Sequence, residues 1–159
     1  MLGTIFLFET KRWFKNWSFY IYMLVFFAIS FFIMASALGY FDALSTTSAS
    51  NTWANSPISI NGFINGISQL VYFIIPTVIG ATVYRDFKYN AHTILFSYPF
   101  TKFDYLVGKF LSGLLITTLI TMSIGAGFFI ASVLPFANQD LLGPINIWAY
   151  FQSYLLFTI

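Results

Sequence analysis

The residues best placed to do chemistry lie between positions 61 and 80. At 100° per residue, Asn61, Asn65, Ser68, Gln69, Tyr72 and Pro76 fall within about a third of a helix circumference. Gly62, Gly66 and Gly80 flank this stripe, while Phe63, Ile64, Ile67, Leu70, Val71, Ile74 and Ile75 take the opposite side. The stripe can hydrogen-bond but cannot ionise near neutral pH. In a membrane, uncharged amides of this kind face protein or a water-filled cavity. The face then either lines a translocation path or subunit interface, or packs ordinarily through Gly62-x-x-x-Gly66 with the amides as glue. Packing is favoured, since each such bond is worth only ~0.6 to 2 kcal/mol and is common. Asn61 is also suited to the outer headgroup layer.

A second group mixes charge with aromatics. Arg85, Asp86, Lys88 and Tyr89 are followed by Ile94, Leu95, Phe96 and Tyr98, then Lys102. A bare loop does not need Ile94, Leu95, Phe96 and Tyr98. Either a short helix here docks into a partner's groove, or it rests on the membrane with Lys88 and Lys102 toward anionic lipid.

Catalytic sets are missing from the sequence. It has no cysteine, hence no disulfide, thiol chemistry or thiolate-bound metal. It has neither a glycine-rich phosphate loop nor a His-Glu-x-x-His zinc motif. His92 is the sole histidine and reads as a polar connector residue. No enzyme activity and no cofactor are expected of this chain. No ionisable residue interrupts the middle of the apolar stretches, which argues against a self-powered ion-coupled carrier.

The elements that must hold these residues follow from composition. The 159 residues are 58% hydrophobic and 8% charged, against about 25% charged in ordinary soluble domains. So few charges cannot cover a water-soluble globule. The expected fold is all-α: a polytopic transmembrane helix bundle preceded by an amphipathic interfacial helix. Residues 2–16 supply that helix, with Leu2, Ile5, Phe6, Phe8, Trp13 and Phe14 on its greasy side and Glu9, Lys11, Arg12 and Lys15 on its polar side. The alternative is a frayed lead-in. Lys11, Arg12, Trp13 and Lys15 are its expected interfacial anchors.

Spans are expected at 17–40, 62–84 and 104–134, each long enough for the roughly 20 residues a crossing needs. Between them lie a polar loop at 41–60, where Pro57 blocks an incoming helix, and a cytosolic connector at 85–103 carrying a short helix. A cation-free loop at 136–147 follows the third span, which ends at Pro135. Lys109, in the first turns of that span, is expected to snorkel outward. Residues 147–159 begin a fourth span too short to cross, so the chain is expected to be a piece of a longer protein.

All seven Lys and Arg residues lie before the first span or around the connector. Basic loops stay in the cytosol. The N-terminus and the 85–103 connector are therefore expected inside, and 41–60 and 136–147 outside. No basic stripe is long enough for nucleic acid.

At the connector the chain resembles the membrane subunits of ATP-binding-cassette exporters, the ABC type 2 permease family. The residues concerned are Tyr84-Arg85-Asp86, Leu95-Phe96-Ser97-Tyr98-Pro99 and Lys102-Phe103-Asp104-Tyr105-Leu106-Val107-Gly108-Lys109. The basic amphipathic start resembles the family's elbow helix. The resemblance implies six spans per permease unit, a second permease unit, a plasma (inner) membrane location and a separate cytosolic ATPase. It also implies a coupling helix within Arg85–Pro99 that contacts that ATPase, with Arg85, Asp86, Lys88, Ile94, Leu95, Phe96 and Tyr98 as coupling residues. Spans five and six and most of four are missing from the pattern; some bacterial relatives also carry an aminopeptidase-like domain. The other reading of the residues is a membrane anchor or assembly module with no transport path.

Overall fold

The computed structural model describes residues 2–41, 52–89, 101–135, 138 and 140–158. Among these, regular structure is entirely helical: α1 (Leu2–Phe14), α2 (Trp17–Ala37), α3 (Pro57–Lys88), α4 (Lys102–Val133) and α5 (Ile147–Thr158). Three of them, α2, α3 and α4, are long and apolar enough to cross a membrane. At 32 residues each, α3 and α4 run about 48 Å, well beyond a hydrocarbon core of about 30 Å. The expected short helix of the connector, with His92, Ile94, Leu95, Phe96 and Tyr98, lies outside the described residues.

Local capping sets the helix limits. Pro57 does not block α3 but opens it: proline suits the first helical position, where no backbone N–H is needed. Ser56 caps it, its Oγ accepting from Ser59 N at 3.3 Å. Thr101 caps α4, accepting from Asp104 N at 3.1 Å while donating to Asp104 Oδ2 at 3.0 Å. α3 therefore starts five residues before the expected span and α4 two before. α2 stops at Gly39, whose φ of 75° is a conformation glycine reaches without a Cβ penalty. Tyr40 N then reaches Ala35 O at 3.0 Å and Gly39 N reaches Ser36 O at 3.2 Å, the paired bonds of a Schellman motif.

The chain forms two compact units, Met1–Ile21 with Leu70–Leu119, and Tyr22–Gln69 with Ile120–Ile159. In the first, α1 lies against α4 at Gly108, where a Cβ would meet Ile5 Cγ2 at 3.0 Å. α3 lies against α4 at Gly113, where a Cβ would stand 2.9 Å from Ile79 Cγ1. Val78, Thr82, Ser112 and Ile116 are buried here. Only Lys15 and Asn16 separate α1 from α2. Asn16 caps α2 by accepting from Ser18 N at 3.2 Å, and Phe14 meets Phe19 edge-on at 5.2 Å.

In the second unit, Gly127 lets α4 approach α2 so closely that a Cβ would lie 2.8 Å from Phe27 O. Tyr150 of α5 donates to Ser132 Oγ at 2.7 Å, and Tyr40 donates to Ala131 O at 2.7 Å. Asn55 pairs reciprocally with the Gly143 backbone: its Nδ2 donates to Gly143 O at 2.8 Å and its Oδ1 accepts from Gly143 N at 2.9 Å. Gly143 sits under the Trp53 ring, which a Cβ there would meet at 2.5 Å.

Candidate functional site

The first unit contains all seven Lys and Arg residues and three of the five carboxylates, Glu9, Asp86 and Asp104. Several of these charges are internal. α1 turns Glu9 and Trp13 inward with Arg12 at their edge; α3 contributes Thr82, Arg85 and Asp86; α4 contributes Tyr105 and Lys109. Each helix uses positions three and four apart, which lie on one face. Three helix faces thus converge on one charged centre.

Lys109 occupies that centre. Its Nζ donates to Glu9 Oε1 at 2.6 Å, lies 2.7 Å from Asp86 Oδ2 and donates to Thr82 O at 2.9 Å. An ammonium has three protons, and three acceptors surround this one. Tyr105 donates its hydroxyl proton to Asp86 Oδ2 at 2.9 Å, and Arg12 Nη1 reaches Asp86 Oδ1 at 3.5 Å. Arg85 is held less closely, with Nη2 at 3.9 Å from Glu9 Oε2 and its guanidinium carbon 5.5 Å from the Trp13 ring centre. Glu9 Oε2, Trp13 Nε1, and Arg85 Nε and Nη2 make no hydrogen bond. Lys109 is 1% exposed and Glu9 and Asp86 are 2% exposed, so water contributes little to their solvation. Ions buried this way are tolerated only when paired and hydrogen-bonded.

These positions correct two expectations. Lys109 does not snorkel outward; it is enclosed by two carboxylates. Glu9 and Arg12 are not on an outward polar side of α1 with Lys11 and Lys15. Of the expected interfacial anchors, Arg12 reaches Asp86 and Trp13 is buried, whereas Lys11 and Lys15 are exposed. Both oxygens of Asp86, an expected coupling residue, are engaged within the chain, Oδ1 by Arg12 and Oδ2 by Tyr105 and Lys109. Burial and pairing explain each reversal, since a carboxylate between cations is better solvated inside the cluster than an isolated one would be.

Asp86 lies near the end of α3, and Tyr105 and Lys109 lie near the start of α4, so the cluster joins the two ends of the connector to each other and to α1. Lys88 and Lys102, by contrast, are exposed. Among the described residues no group of three or more His, Cys, Asp or Glu side chains could hold a metal ion.

The polar stripe on α3 is largely the exposed side of that helix. Ile60, Ile64, Ile67, Val71 and Val78 point inward and are buried. Gly62, Asn65, Gly66, Gln69, Tyr72, Pro76 and Gly80 are exposed, and Asn61 and Ser68 are half-buried. No side chain or backbone of another helix stands within 4 Å of a Cβ built at Gly62 or Gly66. Among the described residues, no helix therefore packs on the Gly62-x-x-x-Gly66 face, and the apolar side taken as lipid-facing is largely the inner one. On α4, Gly113, Thr117, Thr121 and Gly125 recur every four residues: Gly113 abuts Ile79, Thr117 and Thr121 are buried, and Gly125 has nothing within 4 Å.

Compared with protein-family models, curated proteins and solved structures, the chain gives no match.

Proposed function

We propose that this chain is part of a membrane-embedded permease of an ATP-binding-cassette exporter of the ABC type 2 kind, driven by a separate cytosolic ATPase that docks on the 85–103 connector. The observation that carries the reading is the clamp around the connector's ends. A push on the connector reaches Asp86 at the end of α3 and Tyr105 and Lys109 at the start of α4. Through Glu9 it also reaches α1. A connector tied this way passes force to three helices at once, whereas a loosely attached one would absorb it.

Two further features support the reading. All cations fall beside the N-terminus and the connector, which favours a cytosolic position for both in a plasma or bacterial inner membrane. The α3 stripe offers Asn65 and Gln69 outside the chain's own bundle, where hydrocarbon would leave their amides unsatisfied at a cost of roughly 1–3 kcal/mol each. A second permease unit or a water-lined path meets that demand; a bare membrane anchor does not. α1 is assigned the role of an elbow helix at the cytosolic surface.

Docking is tested at the exposed lysines, not at Arg85, which belongs to the cluster. Charge reversal at Lys88 and Lys102 should remove the ATPase from the purified complex while leaving the helices folded. ATPase retention together with undiminished transport would sink the docking assignment.

A further inference from the structure

α1 has a second face that its own chain leaves uncovered. Leu7, Phe8, Lys11, Phe14 and Lys15 are all exposed and fall within about a third of the helix circumference, opposite Glu9 and Trp13. Trp17, the first residue of α2, is 81% exposed beside them in sequence. This face pairs apolar rings with ammonium groups and includes no carboxylate. The nearby acids are accounted for: Glu9 and Asp86 are buried with Lys109, and Asp104 is engaged by the Thr101 cap of α4. The exposed charge of this unit is carried by Lys11, Lys15, Lys88 and Lys102. Because only Lys15 and Asn16 join α1 to α2, the end of α1 lies within about 10 Å of the start of a helix suited to spanning.

We propose that the Leu7–Phe8–Lys11–Phe14–Lys15 face of α1 is a binding surface for anionic phospholipid in the leaflet that α2 enters, selected over zwitterionic lipid. The rings supply apolar contact at the boundary of headgroup and acyl chain. The two lysines bury their stems along that boundary and place their ammonium groups among phosphates. Local field matters because Glu9, which would weaken it from the same helix, is neutralised inside. The proposal depends on α2 being a span and is independent of the transport reading.

The test uses the full chain in vesicles and the contrast between Trp13, 2% exposed, and Trp17. A W53F/W148F background leaves these two tryptophans as reporters. Phosphatidylglycerol with brominated acyl chains, diluted into phosphatidylcholine, should quench Trp17 more strongly than brominated phosphatidylcholine at the same fraction. K11Q/K15Q should erase that difference, with about a fivefold fall in apparent phosphatidylglycerol affinity per lysine. K11R/K15R should retain it, which separates charge from any loss of folding. Equal quenching by both lipids in the parent, or a preference that survives K11Q/K15Q, overturns the proposal. So does release of a co-purifying protein by K11Q/K15Q with lipid preference unchanged, which would make the face a protein interface. Failure of ATPase docking at Lys88 and Lys102 would leave this quenching result intact.

Discussion

Lys109 donates to Glu9 at 2.6 Å across 100 positions of sequence, so the docking of α1 depends on a cation in α4. That cation in turn depends on Asp86 of α3. Removing one member of such a group strands the others in a place water does not reach, and the cost of breaking a buried pair is typically about 3–5 kcal/mol.

Lys109→Met should accordingly destabilise the protein by about 3–5 kcal/mol, read as a lower Tm in detergent. Because the penalty comes from stranded charge, E9Q added to the lysine variant should recover part of the loss. A further D86N should recover more. A double variant less stable than Lys109→Met alone would show that Glu9 is stabilised by something other than the lysine.

Gly127 and Gly125 are two residues apart on α4 but predict opposite results. Gly127→Ala drives a methyl group into Phe27 O and the Ser30 side chain and should cost about 1–3 kcal/mol through overpacking. Gly125→Ala meets nothing within 4 Å and should be neutral or stabilising by up to about 1 kcal/mol, since alanine is the better helix former. Thermal unfolding of the two variants side by side checks both signs.

Asn55→Ala removes both hydrogen bonds that fix Gly143 and leaves a buried carbonyl and N–H without partners. A loss of about 1–3 kcal/mol follows from such orphaned groups. Limited proteolysis should detect it as faster cleavage near Gly143, with α1 unaffected.

The chain has no native cysteine, so single-cysteine variants report without background. Cysteine at Asn65 or Gln69 should react with a small maleimide, or cross-link to a second chain, far faster than cysteine at Ile64 or Ile67. Equal protection at all four positions would mean the stripe is covered by lipid, and the path or interface reading of α3 would fail.

The long helices were legible because an uncharged run of twenty or more residues has few physical alternatives. Their ends were less so. Pro57 reads as a breaker in isolation and becomes a helix start only with Ser56 in front of it. The ion cluster was hidden for a different reason. Glu9, Lys11, Arg12 and Lys15 look like one polar side, and only partners far along the chain decide which of them turn inward. A usable signal was nonetheless present: Glu9 with Trp13, Thr82 with Asp86, and Tyr105 with Lys109 are each four apart, giving three matched faces. The stripe on α3 was visible as a stripe, but whether it faced in or out depended on the shape of its neighbours, which periodicity does not encode.

Enclosed by three oxygens and 1% exposed, Lys109 is shielded from reagents that acylate free amines, while Lys11, Lys15, Lys88 and Lys102 stand open to them. Acylation at Lys109 requires the ion cluster to open first. Its slow labelling rate thus works as an intrinsic clock for that local opening, in the way amide exchange times the unfolding of a segment.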